Sequence, residues 1–149
     1  METKILKEYF DYGFGFPVRL KSVPAVKVRG EWTPKIDYNA LTQVVLRLLS
    51  VSPCRLTGNE IAFIRKSFQM TLKEFGSRFD VSHVAVMKWE KSKNRATKMS
   101  WPVEKDIRLF ILTKQSVKAQ QFAKVYSGLE VAPSTHSSSL DVDMKDLAA

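Results

Sequence analysis

One cysteine, Cys54, and two histidines, His83 and His136, supply the only thiol and imidazole ligands in 149 residues. An internal disulfide is therefore impossible, and no cysteine–histidine set with metal-ligand spacing can be drawn. Long apolar runs are also missing. Stretches such as Val44-Val45-Leu46 are stopped at once by charge, here Arg47, far short of the ~20 residues that cross a bilayer. No charged-then-apolar leader opens the chain. The expected compartment is a reducing cytoplasm, with no membrane contact. Glycine is scarce, six residues in all, and none forms a phosphate-cradling loop. Paired carboxylates in a motif, a Cys/His couple and a Ser/His/Asp set are lacking too. An enzyme is accordingly the weakest class, and neither a catalytic residue nor a cofactor is expected.

Negative charge is the last scarcity. Fifteen Asp and Glu face 24 Lys and Arg, a formal +9, while a 44% hydrophobic share is enough for a packed core. The excess is uneven. Residues 1–56 hold 9 basic and 5 acidic side chains, residues 57–126 hold 14 and 6, and residues 127–149 hold 1 and 4. A basic middle segment is what a phosphate-facing surface requires.

Three regions follow. In residues 1–55, Val18, Leu20, Val26 and Val28 alternate with Arg19, Lys21, Lys27 and Arg29, the period of half-buried strands. Val23-Pro24 breaks the run and Arg29-Gly30-Glu31 supplies a turn. Two or three short strands are expected, with four basic side chains on one face, either solvated or a partner surface. Leu41, Val44, Val45, Leu48 and Leu49 then follow a helical stripe with Asn39 as N-cap. Residues 127–149 are serine-rich and poor in large apolar side chains, and read as a disordered tail. Its acidic-apolar end, Leu140 to Met144, is either solvated or docks on a partner.

Residues 56–126 carry the informative constellation. Thr57-Gly58-Asn59-Glu60 and Thr71-Leu72-Lys73-Glu74 are capping boxes. The first opens a helix with Ile61, Ile64 and Phe68 on one face, and the second a short helix with Leu72, Phe75 and Phe79 inward. Ser82 caps a third, containing Val86 and Trp89. Two short helices across so tight a turn form a helix-turn-helix. Gly76 sits mid-helix, where glycine costs about 1 kcal/mol against alanine; close approach of the third helix accounts for it. Lys91, Lys93, Arg95 and Lys98 follow without an intervening acid. Two further amphipathic helices, around Val103, Ile107, Phe110 and Ile111 and around Val117, Phe122, Val125 and Tyr126, complete a mainly α, five-helix domain. Either of these two helices is a candidate dimer interface.

The stretch from Thr71 to Glu90 resembles the Cro/C1-type (Xre) helix-turn-helix. Preceded by Leu56-Thr57-Gly58-Asn59-Glu60-Ile61-Ala62-Phe63-Ile64-Arg65-Lys66, it resembles the DNA-binding antitoxins of bacterial type II toxin–antitoxin systems. The match covers roughly residues 56–91. The paired N-terminal cysteines of the zinc-binding branch are lacking here, so no metal is implied.

The resemblance implies base reading by Ser82, His83, Val84, Met87 and Lys88. It implies backbone contacts by Thr71, Lys91, Lys93 and Arg95, and a structural salt bridge between Arg65 and Glu90. Asp80 stands where many relatives have a turn glycine, and Leu72 where they often have a phosphate-binding glutamine. The expected partners are double-stranded operator DNA, an inverted repeat bound by a homodimer, and a toxin held by the N-terminal region. The expected function is an autoregulating repressor and antitoxin. The alternatives are a stand-alone phage or mobile-element repressor and a protein-interaction adaptor that does not bind DNA.

Overall fold

A computed structural model describes residues 2–134 and 139–148. Among them the elements run β1 (Thr3–Asp11), β2 (Val18–Val28), β3 (Glu31–Pro34), α1 (Tyr38–Ser50), α2 (Gly58–Ser67) and α3 (Leu72–Arg78). They continue with α4 (His83–Lys91), α5 (Trp101–Lys114), α6 (Ala119–Gly128), β4 (Leu140–Asp143) and a closing 3₁₀ turn, Met144–Ala148. The described residues thus form six α-helices and a four-stranded mixed sheet. The expectation of a mainly α, five-helix domain with a small hairpin and a disordered tail is thereby overturned. The chain is a mixed α and β protein.

Two compact units divide it. The first joins Met1–Val45 to Ser139–Ala149, and the second is Leu46–Ser138. The boundary falls within α1.

In the first unit β2 is central. It pairs antiparallel with β1 from Thr3 to Asp11, Lys7 excepted, along one edge. Along the other edge it pairs parallel with β4 at residues 18–21 and antiparallel with β3 at residues 25–28. Arg29 and Gly30 have φ of 52° and 83°, the two left-handed residues a tight hairpin needs. Pro24 does not break β2. Its carbonyl accepts from Lys35 N–H at 2.7 Å, so its absent N–H faces the same edge, in the gap between the β4-paired and β3-paired stretches. A proline is tolerated where no partner strand asks for that hydrogen.

Burial along β2 also departs from strict alternation. Val18 and Leu20 are buried, then Val23 and Ala25, while Val28 is exposed. The phase slips at Ser22, whose φ is +56°, because a left-handed residue reverses which side chains turn inward. The four basic residues therefore do not share a face. Arg19 and Lys21 alternate with Val18 and Leu20, but Lys27 has the parity of Val23 and Ala25, and Arg29 lies in the turn. Strand β1, which the alternation did not reveal, has mostly exposed side chains. α1 begins before Asn39, and its cap is Asp37, whose carboxylate accepts from Ala40 N–H at 3.1 Å.

The expected disordered tail is ordered over much of its length. Leu129 is buried and its carbonyl accepts from Trp101 Nε1 at 3.0 Å. Residues 140–143 form β4 against β2. Cross-strand pairing supplies the stabilisation that the tail's own composition lacks. Thr135, His136, Ser137 and Ser138 lie outside the described residues.

The second unit packs Ile61, Ile64, Phe75, Val86, Ile107 and Ile111 into one core. Phe79 bridges Phe75 and Phe110 edge-to-face, with ring centroids 4.8 and 5.4 Å apart. No helix among the described residues is long and apolar enough to cross a membrane.

Candidate nucleic-acid interface

The second unit carries all of the net charge. It holds 16 basic and 7 acidic residues, a formal +9, whereas the first holds 8 of each. Folding moves the acidic C-terminal segment to the N-terminal unit, so the imbalance between units is sharper than that between linear segments.

Helix α4 turns more than half of its residues to solvent, and its surroundings explain how. Its N-cap Ser82 accepts from Ala85 N–H at 3.1 Å. Val86 and Trp89 are buried on one side. Ser82, His83, Val84, Met87 and Lys88 are all exposed, Val84 by 46% and Met87 by 37%. Val84, Met87, Lys88 and Lys91 recur at i, i+3, i+4 and i+7, a single stripe opposite the buried pair. Two exposed apolar side chains beside a lysine suit a base edge with a methyl group better than they suit water.

Three devices hold α4 in place. Arg65 on α2 pairs with Glu90 through both guanidinium arms, Nε to Oε2 at 2.7 Å and Nη2 to Oε1 at 3.0 Å, while Nη1 donates to Met70 O at 2.9 Å. The hydrogen bond to Glu90 pushes the Arg65 pKa up. At Gly76, a Cβ would lie 2.7 Å from Val81 O and 3.3 Å from His83 N, so the turn and the start of α4 cross α3 at a point where only glycine fits. The third device is Gly58, the first residue of α2. A Cβ there would come within 2.3 Å of Trp89 O and 2.7 Å of Lys93 N. Sequence reasoning passed over Gly58; the signal available was a glycine directly after a capping threonine. Asp80 takes the left-handed conformation, φ +59°, so the turn is made without glycine.

The basic loop after α4 is fastened by its backbone. Gly58 N–H donates to Arg95 O at 3.2 Å and Asn59 N–H to Lys93 O at 2.9 Å, and Thr97 N–H donates to Leu56 O at 3.3 Å. Two otherwise unpartnered N–H groups of the α2 start are thus spent on the loop. The side chains of Lys91, Lys93, Arg95 and Lys98 all stay exposed. Lys93 and Lys98 have φ of 53° and 65°, left-handed strain that the loop's fastening must offset.

Thr71 is first of all a helix cap. Its hydroxyl accepts from Glu74 N–H at 3.0 Å, and the Glu74 carboxylate accepts from Thr71 N–H at 2.9 Å. Those bonds hold the Glu74 pKa down, so the group is anionic beside Thr71. A phosphate at Thr71 would have to tolerate that charge, which makes Thr71 the least suited of the four residues expected to contact a nucleic-acid backbone.

A second charged cluster escaped the sequence reading. Glu104 and Arg108, one turn apart on α5, are both fully buried and pair at 2.8 Å. Arg108 also donates to Ser52 O at 2.7 Å and Cys54 O at 2.6 Å, and Arg55 donates to Glu104 at 2.9 Å. Burial lowers the Arg108 pKa against the pull of Glu104, and burial raises that of Glu60 nearby. Every buried side-chain nitrogen and oxygen among the described residues has a partner. The cluster fixes residues 52–56, which lead directly into Thr57, Gly58 and the loop contacts. Its only trace in the sequence was two charges among the apolar positions of α5.

Among the described residues, no group of histidine, cysteine and carboxylate side chains could hold a metal ion. No protein-family model, curated protein or solved structure matches the chain.

Proposed function

We propose that the chain is a sequence-specific double-stranded-DNA-binding repressor, with α4 entering the major groove. One observation carries this reading. The solvent face of a rigidly braced short helix presents Ser82, His83, Val84, Met87 and Lys88, and continues into an acid-free loop of four exposed cations. Such a helix reads base edges with its N-terminal residues, while flanking cations grip phosphates and set orientation. Lys88 donates to guanine O6 or N7, and Val84 contacts a thymine methyl. Lys91, Lys93 and Arg95 hold backbone.

A homodimer on an inverted repeat is part of the proposal, because one short helix reads too few bases for useful specificity. So is an antitoxin role, in which the electrically neutral first unit binds a toxin and the dimer represses its own operon. That part draws on the resemblance of residues 56–91 to antitoxins.

The test is fluorescence anisotropy with the gene's own upstream DNA against a shuffled duplex, over a series of salt concentrations. A tighter complex with the upstream DNA is expected, with log K falling by about 0.9 per phosphate neutralised as log salt rises. Equal, salt-insensitive binding to both duplexes refutes the reading and favours the adaptor. Co-purification with the product of an adjacent gene separates an antitoxin from a stand-alone repressor.

A further inference from the structure

The edge of β2 from Val18 to Lys21 is matched position by position by the chain's own C-terminal strand. Val18 lies opposite Leu140, Arg19 opposite Asp141, Leu20 opposite Val142 and Lys21 opposite Asp143. Apolar faces apolar and base faces acid at all four positions. Arg19 donates to both Asp141 carboxylate oxygens, at 3.1 and 3.2 Å. Val142 is 3% exposed, and Met144, just beyond, is 8% exposed. A one-residue slip would set both aspartates against the apolar positions, so the register is strongly specified.

We infer that this edge is a strand-acceptor site for a partner protein, and that β4 occupies it in cis and must yield when the partner binds. The partner's segment is extended, runs parallel to β2 and alternates apolar and acidic side chains. Strand addition of this kind draws affinity from main-chain hydrogen bonds and specificity from alternate side chains.

Three features make β4 displaceable. The rest of the first unit is one continuous stretch ending at Val45, so the strand can leave without altering that chain path. β4 spans only four residues. Its charged contact is half open to water, with Asp141 50% and Arg19 31% exposed, and exposed pairs hold weakly. Glu8, 3.6 Å from Arg19 on the far side, remains to neutralise the guanidinium when the strand departs. The inference deepens the partner-binding part of the proposed function and is tested without DNA, so either can fail alone.

The experiment uses the full chain and a fluorescein-labelled peptide of residues 139–146. In wild type the tethered strand competes at an effective concentration of about millimolar, so peptide binding is weak. Val142→Asp, which spoils β4 but leaves the acceptor intact, is expected to bind the peptide at least tenfold more tightly. Adding Arg19→Glu abolishes that binding, and a peptide carrying Asp141→Arg restores it. A Val142→Asp chain of unchanged helicity that prefers the peptide no more than a scrambled one overturns the inference. Should that variant fail to fold, hydrogen exchange on wild type decides. Amides of residues 140–143 are expected to exchange at least tenfold faster than those paired between β1 and β2, and equal protection overturns the inference. A wild-type dimer held by mutual exchange of β4 also overturns it, because the occupant is then a second copy.

Discussion

Arg65→Ala removes one side of the brace between α2 and α4 and leaves Glu90 charged in a site where its side chain is 18% exposed. The variant loses the bidentate pair and the bond from Arg65 to Met70 O. Orphaning one partner of a buried pair costs about 3–5 kcal/mol. The residual exposure of Glu90 lets water recover part of this, so about 3 kcal/mol is expected. For a unit of this size each kcal/mol lowers Tm by about 4–8 °C, which gives a fall of about 12 °C or more. Urea and thermal unfolding followed by tryptophan fluorescence measure it, with Trp89 and Trp101 inside the unit. The double variant Arg65→Met, Glu90→Leu should recover most of the loss, because apolar replacement of both partners removes the uncompensated charge. A loss below about 1 kcal/mol in Arg65→Ala would mean that the pair behaves as a surface contact, and the argument for a braced helix would collapse.

Gly58→Ala places a Cβ 2.3 Å from a backbone oxygen that cannot rotate away; a loss of about 1–3 kcal/mol is expected in chemical denaturation. In DNA binding, Lys88→Ala should lower affinity for the operator more than for shuffled DNA. Lys93→Ala should weaken both equally and reduce the salt slope by about 0.9 per protomer, as read by anisotropy. Tyr38 donates to Asp11 Oδ2 at 2.8 Å, and that bond pushes its pKa from 10.0 to about 12. A raised folded-state pKa contributes stability below pH 10 that is lost as pH rises through about 12. Urea unfolding between pH 9 and 12 should therefore show a steeper decline for wild type than for Tyr38→Phe, and parallel curves would count against the hydrogen bond.

Much of the second unit was legible because its signals are local. Both capping boxes form as the Thr-x-x-Glu spacing predicts, since the two hydrogen bonds of each close within one turn. Gly76 and the Arg65–Glu90 pair were readable for a related reason, one from the oddity of a helical glycine and the other from a resemblance. The first unit was not legible in the same way. Strand β1 lacks alternation because its side chains are mostly exposed, and β2 loses its phase at a serine whose left-handed conformation leaves no mark in the sequence. Nor could the tail's composition reveal β4, whose partner lies about 120 residues away in the chain.

The sequence by itself determined the basic excess, the starts of α2, α3 and α4 and the tight turn before α4, because caps and turns follow from neighbours within a few positions. Tertiary structure decided the rest. It gathered the whole +9 onto one unit by returning the acidic end of the chain to the other. It buried Glu104 and Arg108 where sequence reading passed them by. It also seated β4 beside β2. Each of these depends on contacts between residues far apart in the chain, whose free energy appears only once the packing surfaces have formed.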